Sequence, residues 1–180
     1  MNSQNNLQPA VFIDRDGTLI EEVNFLSRVE DLSLFPFTQK AIRLLKDRGF
    51  LIIVVTNQSG IGRNIYDEAA MHNIHLQLQK ELDDSIDAFY FCPHLPSDGC
   101  LCRKPGLGMI EAACRDFQID LPCSWMIGDK KIDIETGFNA QIKTAMVRTG
   151  YGSSQADDLE KLPDIIAVDL LNVVEMMLTR

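Results

Sequence analysis

Nothing in this 180-residue sequence is long and apolar enough to span a membrane as a helix. The longest strongly apolar run is FLIIVV, Phe50–Val55, against the roughly 20 residues that a span takes. The first residues, MNSQNNLQPA, lack a basic stretch followed by an apolar one, so they do not read as a secretory signal; residues 1–9 are expected to form a frayed arm. Positive charge is scarce: 17 Lys and Arg face 26 Asp and Glu, for a formal net charge of −9. That excludes nucleic acid and an anionic membrane surface as main partners. It also means that a phosphate ligand must be met by cations gathered locally. Cysteine is limited to Cys92, Cys100, Cys102, Cys114 and Cys123. An odd count with three of them clustered speaks against a disulfide framework and for a reducing, cytoplasmic setting. Cys114 and Cys123 lie in apolar-rich segments and read as small core residues. No internal repeat, low-complexity tract or heptad pattern is present, and a monomer is expected.

What the sequence does have is alternation. Strand-like runs (AVFID, FLIIVVTN, IDAFYFC, SWMIGD, KTAMVRTG and a weaker DIIAVD) are separated by helical patterns (TQKAIRLLKDRG, DEAAMHNIHLQLQKELDD, LGMIEAACRDF, IDIETGFNA, LLNVVEMMLTR). Runs such as IIVV are apolar at every position, as in strands covered on both faces. The expected fold is α/β: one domain over residues 1–180, with a mainly parallel sheet and helices on both faces. In such sheets ligands bind beyond the carboxyl ends of the strands.

Four strand ends carry chemistry. After the first stands DRDGT, where Asp14 and Asp16, two apart, point to the same side. One carboxylate can serve as nucleophile and the other as acid and base, with a divalent metal between them; a plain polar turn is the alternative. After the second comes TNQSGIGR, in which Thr56, Asn57, Ser59 and the glycines can hold phosphate oxygens or simply form a strand-to-helix loop. After the third stand Arg103 and Lys104, cations of the kind a phosphate site needs, or else a solvated surface pair. After the fourth comes GDKKID. Asp129 is placed to complete an oxygen-rich site with the first loop, a site that suits magnesium. Asp133 either ligates through water, braces a neighbour, or is an acid favoured by a helix N-terminus.

Between the third strand and those cations lies CPHLPSDGCLC. Cys92, His94, Cys100 and Cys102 supply three sulfurs and a nitrogen, the closed set of a tetrahedral structural zinc site. The spacing is tighter than in common zinc fingers, so redox-active or free thiols remain an alternative. Four protein ligands would leave no open position for water, so this metal is not expected to do the chemistry.

Together FIDRDGTLI, VVTNQSG, CRKP and MIGDKKID resemble the four motifs of the haloacid dehalogenase-like (HAD) phosphohydrolases, over about Val11 to Gly152. The Cys-x-His and Cys-x-Cys pairs before Arg-Lys-Pro resemble the branch of the heptose-bisphosphate phosphatases and histidinol-phosphate phosphatases. The resemblance implies a capless HAD-like Rossmannoid fold with a zinc-binding loop over residues 92–104. It also implies roles. Asp14 attacks phosphorus to form an aspartyl phosphate. Asp16 protonates the leaving alkoxide and later activates water. Magnesium is held by Asp14, Asp129 and the backbone carbonyl of Asp16. Thr56 bonds the phosphoryl group and Lys104 neutralises it. Asn57, Arg103 and Lys130 are expected at the substrate. With only the short segment Glu21–Phe37 as a flap, selectivity falls to that flap, the zinc loop and nearby side chains. VNFL and VRTGYG resemble the heptose bisphosphate group, which makes the 7-phosphate of D-glycero-D-manno-heptose 1,7-bisphosphate the favoured substrate. CPHLP resembles the histidinol-phosphate form and makes histidinol phosphate the second candidate. A non-catalytic binding module would be expected to lack at least one of Asp14, Asp16, Thr56, Lys104 and Asp129; all are present. A phosphotransferase or mutase would share the aspartyl phosphate and differ in its acceptor.

Overall fold

The computed structural model describes residues 7–179. Its centre is a sheet of β1 (Ala10–Ile13), β2 (Leu51–Asn57), β3 (Ala88–Cys92), β4 (Trp125–Gly128), β5 (Lys143–Val147) and β6 (Ile165–Ala167), in the order β3-β2-β1-β4-β5-β6. All five pairings are parallel, so the expected α/β fold is the observed one. Side-chain alternation splits the core in two. Val11, Ile13, Ile52, Val54 and Ile127 face one way, onto α1 (Thr38–Asp47), α3 (Glu68–Glu81) and α7 (Leu170–Leu178). Ala10, Phe12, Ile53, Val55 and Met126 face the other way, onto α4 (Gly108–Asp116). Beyond α4, Gly137 of α5 (Lys131–Asn139) packs against Met126 and Thr144.

The sheet order decides where the site lies. β1 and β4 are neighbours, but the chain leaves β1 toward β2 on one side and leaves β4 toward β5 on the other. Their carboxyl ends therefore flank the crevice where strand order reverses, the usual ligand position in such sheets. Asp14 directly follows β1, and Asp129 directly follows β4.

Local differences from expectation have simple causes. Residues 1–6 of the expected arm lie outside the described residues, but Gln8 is not frayed. Its N–H donates to the Gln118 carbonyl at 2.9 Å and its carbonyl accepts from Asp120 N–H at 2.9 Å, while the Pro9 carbonyl accepts from Leu51 N–H at 2.9 Å. The strand read as KTAMVRTG ends at Val147. The glycine-rich loop after β2 contains a helical turn, α2 (Ser59–Gly62), and a second short helix, α6 (Gly152–Gln155), follows β5. The flap closes on itself: Ile20 pairs antiparallel with Leu34, and Glu21 N–H donates to the Ser33 carbonyl at 2.8 Å. Among the described residues no helix is long and apolar enough to cross a membrane.

Candidate active site

Lys104 is the hub. Its Nζ lies 2.6 Å from Asp14 Oδ1, 2.6 Å from Asp133 Oδ1 and 2.8 Å from the Val55 carbonyl. It is buried, with 3% exposure. Burial disfavours its charge, but Asp133 and Asp14 outweigh that and hold its pKa above the ordinary value. Its main chain is fixed by Asn57, whose Oδ1 accepts from Lys104 N–H at 3.0 Å and whose Nδ2 donates to the Lys104 carbonyl at 3.2 Å. Asn57, expected at the substrate, thus lines the cavity and also braces the lysine from both sides.

Asp14, Asp129 and Asp133 are all buried, with ligand oxygens within 4.8 Å of one another. Asp129 Oδ2 accepts from Tyr151 N–H at 2.8 Å, while its buried Oδ1 has no hydrogen-bond partner. Burial, then the charges of Asp14 and Asp133, push the Asp129 pKa up to about 8. Burial likewise pushes Asp133 up, to about 6, against the pull of Lys104. An orphaned carboxylate oxygen among three buried acids with one lysine between them is the donor set of a hard, oxygen-preferring cation. Three ionised carboxylates and one lysine leave two negative charges, the charge of one divalent ion. Asp133, whose role the sequence left open, is thus part of the acidic cluster and bridges to Lys104. Gly17 makes the close approach possible. It has φ +84°, and a Cβ there would overlap the Asp129 carboxylate.

These shifts predict a pH dependence. In metal-free protein the folded state holds a proton on Asp129 up to about pH 8, whereas the unfolded chain releases it near 3.8. The folded state binds more protons across that window, so the stability contributed there is present below it and lost as pH rises through it. Thermal melts in EDTA should fall from about pH 4 to about pH 8, and Asp129→Asn or added Mg²⁺ should flatten that fall. An unchanged slope in Asp129→Asn would count against the assignment.

Asp16 does not point its carboxylate into this cluster. Arg15 grips it with Nε at 3.1 Å from Oδ2 and Nη2 at 3.0 Å from Oδ1, and Gln58 Nε2 donates to Oδ2 at 2.9 Å. Burial would raise its pKa, but Arg15, Gln58 and Lys130 hold it below the usual carboxylate range. Gln58 Nε2 also donates to Thr56 Oγ1 at 2.7 Å, and Tyr66 OH donates to Gln58 Oε1 at 2.6 Å, which fixes the orientation of the amide. Arg15, Gln58 and Tyr66 were not singled out from the sequence. Gln58, at least, stands inside the quoted TNQSG loop.

A cavity of about 210 Å³ opens above these groups. Its walls include Glu22–Leu26 of the flap, Thr56, Asn57, Arg103, Lys130 and Tyr151. Lys130 Nζ lies 2.9 Å from Glu22 Oε2 and 4.7 Å from the centre of the Tyr151 ring. Glu22 escaped the sequence reading because nothing local marks it. Arg103 Nη1 donates to the His94 carbonyl at 3.2 Å, which ties this wall to the cysteine loop.

In that loop Cys92 Sγ, His94 Nδ1, Cys100 Sγ and Cys102 Sγ converge. Five of the separations are 3.1–3.6 Å. Sulfurs this far apart are not disulfide-bonded, a bond of about 2.05 Å. The spacing is close to the edges of a tetrahedron with metal–ligand bonds of about 2.0–2.3 Å. The four residues the sequence grouped are therefore brought together as a set that can hold zinc. Cys114 and Cys123 stand apart as free thiols, and neither is the core residue expected: Cys114 packs half-buried against the core and Cys123 is exposed.

Known proteins agree with this geometry. A HAD-hydrolase-like family model matches residues 101–173. The D-glycero-D-manno-heptose-1,7-bisphosphate 7-phosphatase of Thermosynechococcus vestitus is 40% identical over 96% of this chain and 96% of its own length. The D-glycero-beta-D-manno-heptose-1,7-bisphosphate 7-phosphatase of Haemophilus ducreyi is 35% identical over 92% and 96%. The crystal structure of D,D-heptose 1,7-bisphosphate phosphatase from B. bronchiseptica, complexed with magnesium and phosphate, superposes with a TM-score of 0.88 at 30% identity, covering 95% of this chain and 98% of that one. Fold and site define a phosphatase of the HAD superfamily. Within it, the chain belongs to the D-glycero-D-manno-heptose-1,7-bisphosphate 7-phosphatase family.

Proposed function

We propose that this enzyme is a magnesium-dependent phosphomonoester hydrolase that removes the 7-phosphate of D-glycero-D-manno-heptose 1,7-bisphosphate, in heptose and lipopolysaccharide precursor synthesis. The observation that carries the reaction is the trio of buried carboxylates around Lys104 on the cavity floor, with an Asp129 oxygen that no hydrogen-bond donor reaches. Bound by Asp14, Asp129 and the Asp16 carbonyl, with Asp133 beside them, magnesium would offset charge on carboxylates and phosphoryl oxygens. Asp14, held by Lys104, attacks phosphorus. Lys104 and Thr56 meet the phosphoryl oxygens, fixed before the substrate arrives. A phosphoryl charge bound beside Asp16 would work against the pull of Arg15, Gln58 and Lys130 and favour its protonated form. Asp16 hands that proton to the departing alkoxide as the P–O bond breaks. The same carboxylate, ionised again, takes a proton from the water that opens the aspartyl phosphate.

Supporting the heptose over histidinol phosphate are the names of the relatives, which span almost the whole chain. Arg103, Lys130 and Asn57 line the cavity from which a second phosphate and sugar hydroxyls would be held. Phosphate release measured side by side on the two substrates tests the choice. Rates on the heptose bisphosphate should exceed those on histidinol phosphate by at least about tenfold, and equal, poor rates on both would defeat it.

The cysteine loop is read as a structural zinc site that steadies the base of Arg103 and Lys104. Cys100→Ser should purify without zinc by elemental analysis and show a raised KM, since Asn57 still holds the Lys104 main chain. Full activity of zinc-free wild type would overturn this. The reading takes the enzyme as a cytoplasmic monomer, a compartment in which thiol ligands stay reduced.

A further inference from the structure

Arg15 is among the largest fully buried side chains in the molecule. A buried guanidinium carries five N–H donors and no acceptor, and each donor left without a partner is costly. Two of its nitrogens grip Asp16. On the far side Nη1 lies 3.2 Å from His75 Nε2. Guanidinium only donates, so Nε2 accepts and the ring proton sits on Nδ1. His75 is buried, at 5% exposure, in the middle of α3. Burial, then the charges of Arg15 and His72, push its pKa down to about 3, which keeps the acceptor free of a proton. Its ring stacks on Phe89 of β3, with centroids 4.4 Å apart and planes at 16°. Neither α3 nor Phe89 belongs to the strand-end loops that carry the chemistry, and the established motifs give His75 no task.

We propose that His75 is a positioning residue for proton transfer: it anchors the far end of the Arg15 guanidinium, and through it fixes the Asp16 carboxylate against the leaving oxygen of the substrate. The line runs Phe89, His75, Arg15, Asp16, with Gln58, itself held by Tyr66, gripping Asp16 from the other side. Without the acceptor on His75, Nη1 has to seek another partner, and rotating the guanidinium rotates the carboxylate it grips. The inference rests on the phosphatase reading above, because it assigns Asp16 the proton that the alkoxide receives.

That dependence supplies the test. kcat/KM reports the steps up to formation of the aspartyl phosphate. In those steps Asp14 forms a bond to phosphorus, the P–O bond to the leaving group breaks, and a sugar alkoxide needs the Asp16 proton. A p-nitrophenolate leaves without one. In the magnesium-loaded enzyme, His75→Leu should lower kcat/KM for the heptose bisphosphate by roughly tenfold, a fraction of the 10²–10⁴ that general acid catalysis supplies. It should leave kcat/KM for p-nitrophenyl phosphate within about twofold, with the loss falling on kcat rather than KM. His75→Gln, whose amide oxygen can accept from Arg15, should recover most of the loss. If the leucine variant does not fold, His75→Asn, polar but too short to reach Nη1, carries the same comparison. Equal losses on both substrates, or no loss on either, would overturn the inference. A wild type inert toward both substrates would sink the phosphatase reading instead.

Discussion

Asparagine at position 14 is expected to abolish turnover while leaving the fold intact. Asp14 is the carboxylate at the end of β1 whose Oδ1 receives Lys104 Nζ at 2.6 Å. Asparagine fills nearly the same volume and keeps an oxygen for the lysine, but it has no charge with which to attack phosphorus. Removing the nucleophile of a unit that works together should cost on the order of 10⁴-fold or more. Phosphate release measures the loss, and acid quenching with radiolabelled substrate separates its causes: wild type should trap a protein-bound phosphoryl group and Asp14→Asn should trap none. Wild-type rates in the purified variant would end the case for this nucleophile.

The second large effect concerns Lys104. Replacing it with methionine keeps most of the apolar stem but takes the internal cation from Asp14 and Asp133, and also from the neighbourhood of Asp129. Breaking a buried pair by deleting one partner costs about 3–5 kcal/mol, so urea unfolding in EDTA should show a loss of that order. Part of it should return with Mg²⁺, which supplies positive charge to the same oxygens and binds only the folded state. Turnover should not return with it, because the proposed reaction also needs the lysine to meet the phosphoryl oxygens. Stability unchanged in EDTA would count against the pairing of Lys104 with Asp14 and Asp133.

How much of this was readable in the sequence depended on distance along the chain. Apolar runs with no polar interruption marked β1, β2 and β4 as strands buried on both faces, and parallel order followed from the helices between them. Once strand ends are known to share one edge, Asp14, Thr56, Lys104 and Asp129 must gather there, although they come from four segments. Cys92, His94, Cys100 and Cys102 announced themselves by residue type and proximity. Partners fixed only by packing were out of reach. Nothing beside Arg15 in the sequence points to its contact with His75, sixty positions later. Asn57 was visible as a polar strand-end residue, but its grip on the Lys104 main chain depends on how closely two loops approach. Asp133 could be narrowed to three roles, and only the position of Lys104 decides among them. Gln8 looked like part of a loose arm because its partners, Gln118 and Asp120, lie more than a hundred positions on, in the segment that leads into β4.

The flap has a consequence for changing what the enzyme accepts. It leaves and rejoins the scaffold at nearly one point, where Ile20 pairs with Leu34 and Glu21 with Ser33. It contributes Glu22–Leu26 to the cavity wall and none of the acids on the floor. An insert whose ends are already clasped can be exchanged as a cassette for a loop of different length at modest entropic cost. Substrate range and phosphoryl chemistry should therefore be separable pieces of the same molecule: grafting over residues 23–32, which spares the Glu22–Lys130 pair, is expected to redraw the first and largely keep the second.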